Sequence, residues 1–267
     1  MPVTLKNGRQ EIEIDGVALD LTVLGEGQPL LFLHSGIGSD FPADPCLSAL
    51  GRDFRVIAPW HPGFGLRERP QSFRDVNDLA YLYLDLVEEL GFDRLVLAGA
   101  SFGGWIAAEM AVRSTAGLSH LVLVDPFGIK AGGITDRDIA DLFAITPAQF
   151  EELAYADRAK AKRDLAALDD AELAAHFRAH ESLAFYGWKP YMHDPQLRRW
   201  LHRIRIPTLL LAGRQDRVVA PGYHQAYSSA FRDCRLRIIE GAGHFPHIEK
   251  PGEVAGIIAD FCAARAG

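Results

Sequence analysis

Five short runs in this chain are almost wholly apolar: PLLFLH (29–34), FRVIAP (54–59), RLVLAGA (94–100), LSHLVLVDP (118–126) and PTLLLAG (207–213). A strand with one wet face alternates apolar and polar residues, whereas a run without alternation is a strand buried on both faces. Parallel strands need long crossover connections, and helices in those crossovers cover the sheet. The segment DVNDLAYLYLDLVEELG (75–91) supplies such a helix, with Leu79, Leu82, Leu86 and Leu90 on one face and Gly91 at its end. EIEIDGVALDLTVLGEG reads as a hairpin turning at Asp15-Gly16. CRLRIIEG (234–241) reads as a further strand, and Gly252 to Ala264 as a last helix with Val254, Ile257, Ile258 and Phe261 on one stripe. The expected class is α/β: a mostly parallel, twisted sheet with helices on both faces.

The pattern breaks between residues 127 and 204, where strands disappear and the sequence turns helical and charged. TPAQ (146–149) and DDAE (169–172) are helix-start signals. Phe177, Phe185, Tyr186, Trp188, Tyr191 and Trp200 then cluster, as the core of a helical layer or as the apolar underside of a lid. At 267 residues the chain suits one domain with an insertion. The expected division is a core of 1–126 and 205–267 and a helical cap, 127–204.

A net charge of −7 gives no electrostatic reason to bind nucleic acid or anionic lipid. Cys46, Cys234 and Cys262 are too few and too scattered for a disulfide framework or a zinc site, which suits a reducing compartment. MPVTLKNGRQEIEI lacks a signal pattern, and no apolar run approaches the roughly 18 residues of a membrane span. The expectation is a cytoplasmic protein with a small-molecule substrate, no nucleic-acid or membrane partner, and homo-oligomer formation left open.

The chemistry starts at GASFGG (99–104), a G-x-S-x-G between a buried strand and a helix. A nucleophile on so sharp a turn needs small neighbours, and Ser101 would sit near helix N–H groups that favour negative charge. A serine hydroxyl needs a base, usually a histidine oriented by a carboxylate. LLLAGRQDRVVAP (209–221) carries Asp216, and GAGHFPHIEKP (241–251) carries His244 and His247. Ser, Asp and His in that order, each after a buried strand, place the three at the carboxyl ends of a parallel sheet. The histidine pair is not read as a metal site, since no carboxylate or cysteine completes it. Asp125, ending its own strand, is a rival to Asp216.

Five motifs in order, LFLHSGIG, PGFG (62–65), GASFGG, GRQDRVVAP and GAGHFPHIEKP, make the chain similar to the α/β-hydrolases of the capped esterase and C–C hydrolase type. They span nearly the whole chain. The resemblance implies an α/β-hydrolase fold with an inserted helical cap, and Ser101 as nucleophile, His244 as base and Asp216 as acid. His247 is left without a catalytic role. The resemblance also implies an oxyanion hole from the N–H groups of Gly36 and Phe102. Ser35 stands where the family usually has glycine, so the loop's dihedral is in question. Ile37 could supply the N–H instead, and Ser35 could add its hydroxyl. Trp60 and His61 depart from the family's usual residues and either line the pocket or pack. Ser35, Ile37, Trp60, Phe185 and Trp188 are the expected substrate contacts. No metal or organic cofactor is implied.

The expected activity is hydrolysis of an ester, thioester or lactone of a small to medium apolar molecule through an acyl-enzyme. Two alternatives stay open. One is C–C bond cleavage of a ring-cleavage vinylogous diketone, with Arg178, Arg198 or Arg199 to hold its acid group. The other is a ligand-binding protein or receptor on the same scaffold.

Overall fold

The computed structural model describes residues 5–38, 44–161 and 168–264; residues 1–4 of the N-terminal stretch and 162–167 of the helical, charged segment lie outside them. The chain opens on an antiparallel pair, β1 (Gly8–Ile14) and β2 (Val17–Leu24). Asp15 and Gly16 join them with φ of 45° and 75°, the two positive values that match a tight turn to hairpin twist. Six strands then run parallel to one another: β3 (Gln28–Leu33), β4 (Phe54–Pro59), β5 (Leu95–Ala100), β6 (Leu118–Val124), β7 (Thr208–Gly213) and β8 (Arg235–Ile239). The eight-stranded sheet has the order β1-β2-β4-β3-β5-β6-β7-β8.

The apolar runs divide their side chains between two layers, as the two-residue period of a strand requires. Leu31, Leu33, Leu95 and Leu97 point to one face, and Leu30, Phe32, Val96 and Ala98 to the other. On the second face α1 (Pro45–Leu50) packs beside α9 (Pro251–Ala263). On the first lie α2 (Val76–Leu90) and α3 (Phe102–Arg113). Asp75 and Asp78 close a capping box at the start of α2, and Gly91 ends it at φ 62°.

Residues 127–204 contribute no strand to the sheet among the described residues. They hold α4 (Pro147–Ala154), α5 (Asp170–Gly187) and α6 (Leu197–Trp200). Thr146 with Gln149 and Asp169 with Glu172 form the two capping boxes that the sequence announces. The end of α4 docks through its carbonyls: Ala154 O accepts from His244 N at 2.7 Å and Leu153 O from Arg217 N at 3.1 Å. The side chains of α5 reach the loop after β4, where Tyr186 donates to Pro62 O at 3.1 Å, Ser182 to Gly63 O and Arg178 to Gly65 O at 2.9 Å. Three short helices carry no sequence signature long enough to read: α1, α7 (Tyr223–Ser228) and α8 (Pro246–Glu249). No helix among the described residues is long and apolar enough to cross a membrane.

Candidate active site

Ser101 occupies the turn from β5 into α3 at φ 51°, ψ −112°. A non-glycine residue held there costs of order 1–3 kcal/mol, which the surroundings must over-determine. They do so by hydrogen bonds: Ser101 N donates to Val124 O at 2.8 Å, and Ser101 O accepts from Phe127 N and Trp105 N at 3.1 Å. The flanking glycines allow the turn to close. A Cβ on Gly99 would overlap the Gly103 carbonyl, and one on Gly103 would overlap the backbone carbonyls of Leu33 and His34. Backbone cannot swing aside as a side-chain tip can. Gly103→Ala is therefore expected to destabilise the fold by about 3 kcal/mol, the upper end for overpacking, measured by urea unfolding. Unchanged stability would mean that β3 and α3 do not approach this closely.

The loops after β5, β7 and β8 bring three of the sequence candidates together. His244 Nε2 lies 2.8 Å from Ser101 Oγ, and His244 Nδ1 lies 2.9 Å from Asp216 Oδ2. A carboxylate accepts, so Nδ1 carries the proton and Nε2 is left to accept from the hydroxyl. Ser101 and His244 are 2% and 1% exposed, so the bonds form in a nearly dry interior. The Phe127 ring stacks on the imidazole at 4.8 Å, and Phe245 meets it edge-on at 4.9 Å. Burial pushes the Asp216 carboxyl up, but the attraction of His244, its hydrogen bond, His224 and the Val218 N–H outweigh this and leave it below the usual carboxylate value. A serine hydroxyl bonded to an imidazole that a carboxylate orients can be deprotonated as it attacks a carbonyl. Of the two acids considered, Asp216 makes the hydrogen bond to His244, while Asp125 lies with both inside a 4.8 Å cluster of polar atoms.

The loop after β3 lies against the start of α3. Ser35 and Gly36 are both absent from the positive-φ positions, whereas Gly38 has φ 83°; serine fits here without backbone strain. Ser35 is buried, with its Oγ 3.5 Å from Gly38 O. Gly36 lies under α5, since a Cβ there would press on the Leu183 side chain. Ile37 is half-buried against the core. Phe102 opens α3, with its ring stacked on Phe64 at 5.8 Å.

His34 and His61 lock this loop to the one after β4. His61 N donates to His34 Nε2 at 3.0 Å, so the His34 proton sits on Nδ1 and is donated to Ser35 O at 2.7 Å. His61 Nε2 donates to His34 O at 2.9 Å, and its Nδ1 accepts from Tyr83 Oη at 2.6 Å. Burial holds His34 down to about 4 and His61 well below its ordinary value, so both stay neutral as the bonds require. His61 is thus a buried tie, and Trp60 packs edge-on to His34 at 5.5 Å.

Phe185 and Trp188, expected to contact substrate, both lie exposed. Phe185 is 40% exposed, with the Arg69 guanidinium 3.5 Å over its ring. Trp188 is 60% exposed and helps line a 360 Å³ surface cavity with Ile129, Ile134 and Tyr191. The α5 aromatic that faces Phe102 is Tyr186, at 6.2 Å, one helical step from Phe185. His247 is buried between Phe32 and Phe245, and burial lowers it to about 4, leaving it neutral.

Three contributors had no signal in the sequence. Phe127 looked like the first residue of the insertion. His224 was one of ten histidines with no motif around it. Glu249, five residues after His244, is buried and ties the base loop to the end of α4. Its Oε2 accepts from Gly243 N at 2.6 Å, and its Oε1 from Ala156 N and Asp157 N at 3.0 and 2.8 Å.

Hydrolases of several kinds are among the proteins this chain is similar to. The chain is 27% identical over 264 residues to a 2-hydroxy-6-oxo-2,4-heptadienoate hydrolase of Pseudomonas putida, covering 94% of each chain. It is 29% identical over 249 residues to a putative carbamate hydrolase of Pseudomonas savastanoi, covering 89% of this chain and 95% of the relative. The crystal structure of a membrane phospholipase A, described as a bacterial virulence factor, superposes with a TM-score of 0.77 at 23% identity, over 95% of this chain and 85% of that one. The sequence model of the Alpha/beta hydrolase family matches residues 30–257, from the third strand through most of the last helix, and the chain belongs to that family.

Proposed function

We propose that this protein is a serine hydrolase that cleaves an ester, thioester or lactone of a small to medium apolar molecule. The observation that carries the proposal is the buried hydrogen-bond chain from Ser101 Oγ through His244 to Asp216. His244 Nε2 takes the hydroxyl proton as Ser101 Oγ attacks the carbonyl. The resulting imidazolium is held by Asp216, and the oxyanion by the N–H groups of Gly36 and Phe102, the latter at the N-terminus of α3. His244 then gives its proton to the leaving group. In the second half-reaction it draws a proton from water, which attacks the acyl carbonyl, and returns that proton to Ser101 Oγ as the acid product leaves. Residues 127–204 act as the lid, with Leu183 and Tyr186 facing inward.

A C–C hydrolase reading is favoured by the dienoate hydrolase of P. putida among the relatives. A dienoate carries a carboxylate, and a buried carboxylate needs a cation. Among the described residues no Arg or Lys side chain is buried. The candidate cap arginines serve other contacts: Arg178 donates to Gly65 O, Arg198 to Ala131 O, and Arg199 lies over Trp200. These contacts support the ester reading. A series of p-nitrophenyl esters is expected to turn over with a higher kcat/KM than a ring-cleavage dienoate. The reverse order would replace this substrate class with the C–C one. No turnover of either above the Ser101→Ala background would favour the ligand-binding alternative.

A further inference from the structure

Behind Asp216 the structure holds a second buried carboxyl. Asp125, just beyond β6, is wholly buried and sits at φ 41°. Its two oxygens share one backbone donor, Gly213 N, at 3.2 and 3.1 Å. Polar atoms of Asp125, Asp216 and His244 all lie within 4.8 Å of one another. From α7, His224 Nε2 lies 3.1 Å from Asp125 Oδ1 and 3.7 Å from Asp216 Oδ2. The titratable groups facing Asp125 are thus Asp216, His224 and His244, each from a different element.

Two carboxylates side by side in a dry interior cannot both be ionised, so one keeps a proton. The surroundings decide which. Asp216 accepts from His244 Nδ1 at 2.9 Å and from Val218 N at 2.8 Å, donors that stabilise a charge. Among the described residues the one backbone donor to Asp125 is the shared Gly213 N–H, with His224 Nε2 beside it at 3.1 Å. Burial, then the neighbouring Asp216 charge, pushes Asp125 well above the usual carboxylate value. Burial also lowers His224, against the pull of Asp216, so no imidazolium arises there to draw the proton off Asp125.

We propose that Asp125 keeps its proton at neutral pH and donates it in a hydrogen bond to the Asp216 carboxylate, so that a carboxyl pair aims His244. This rests on the catalytic reading of Ser101, His244 and Asp216 and adds a positioning residue behind it. The pair presents a single negative charge to the imidazolium that forms during turnover. The donated bond fixes the plane of the carboxylate that receives His244 Nδ1–H.

Asparagine separates this role from that of an ionised acid. Its amide can donate to Asp216 while its carbonyl accepts from Gly213, as the protonated acid does. It also tolerates the left-handed φ better than other residues. Asp125→Ala is expected to lower kcat about ten- to a hundredfold at unchanged KM, the loss of a hydrogen bond to a charged group. Asp125→Asn should recover most of that, ending about threefold below wild type, whereas Asp216→Asn should lose about ten-thousandfold. Infrared difference spectra at pH 7 should show the carbonyl stretch of an un-ionised carboxylic acid in wild type and in Ser101→Ala, and lose it in Asp125→Asn. Asp125→Asn falling as far as Asp216→Asn would overturn the proposal, because Asp125 would then be the ionised acid. Asp125→Ala with wild-type kcat, or absence of the infrared band, would overturn it too. The band needs no turnover, so it decides where the proton lies even if Ser101→Ala stays active and the catalytic reading fails. Should Asp125→Ala not fold, Asp125→Asn and the spectra still decide.

Discussion

Ser101→Ala is expected to lower kcat by about a millionfold on whatever ester the protein turns over. The size follows from the geometry. The hydroxyl that His244 Nε2 addresses is gone, and water cannot be held in its place at 2.8 Å with the same approach to a carbonyl. The residual rate would come from the oxyanion donors and substrate binding alone, some thousandfold to ten-thousandfold over water. The turn should survive the change, because the bonds that hold it, Ser101 N to Val124 O and Phe127 N to Ser101 O, belong to the backbone. Labelling with a serine-directed phosphonate gives the independent check. One equivalent should attach to wild type at Ser101 and none to the variant. A fully active Ser101→Ala protein would end the acyl-enzyme mechanism.

On the proposed mechanism His244→Ala should cost about as much, since serine and base would act as one unit whose losses do not add. The double variant with Ser101→Ala should then be barely slower than either single change. His247→Ala, three residues along, should leave kcat within about tenfold and instead destabilise the fold by about 2 kcal/mol. The two imidazoles differ in what surrounds them. His244 is bonded at both nitrogens, to Asp216 and Ser101, whereas His247 Nδ1 has no hydrogen-bond partner among the described residues and its ring is packed between Phe32 and Phe245. Steady-state kinetics and urea unfolding on both variants separate the roles. Equal losses of kcat would mean that the loop, not one histidine, matters.

Much of this fold is written in local pattern. The parallel strands are legible because a buried strand leaves no polar residue to break its run, and α2 because four leucines recur at the helical period. The hairpin turn is named by two residues. The short helices α1, α7 and α8 are not legible, because four to six residues cannot display a period. Ser101, Asp216 and His244 could be picked out because each stands in a glycine-bounded loop directly after a strand. Their surroundings could not. Tyr83 reaches His61, and Glu249 reaches Ala156 and Asp157, across sequence gaps that only the folded chain closes. Which aromatics of α5 are buried is hard to read for a related reason. Large aromatics mark both faces of that helix, and neighbours such as Phe185 and Tyr186 differ only by a helical step.

The two helices over the site are fastened by different kinds of bond. The end of α4 is stitched main chain to main chain, and through Glu249, into the loop that bears His244. Among the described residues, α5 is held to the loop after β4 by donated side chains, those of Arg178, Ser182 and Tyr186. Displacing α4 would therefore pull on the loop that bears His244, whereas the side-chain bonds of α5 run to the loop after β4. On the proposed reading of residues 127–204 as a lid, the α5 side is where a door could swing without pulling on that frame. On the same reading, exchanges of residues on that helix are expected to leave the hydrogen bonds of His244 to Asp216 and Ser101 in place.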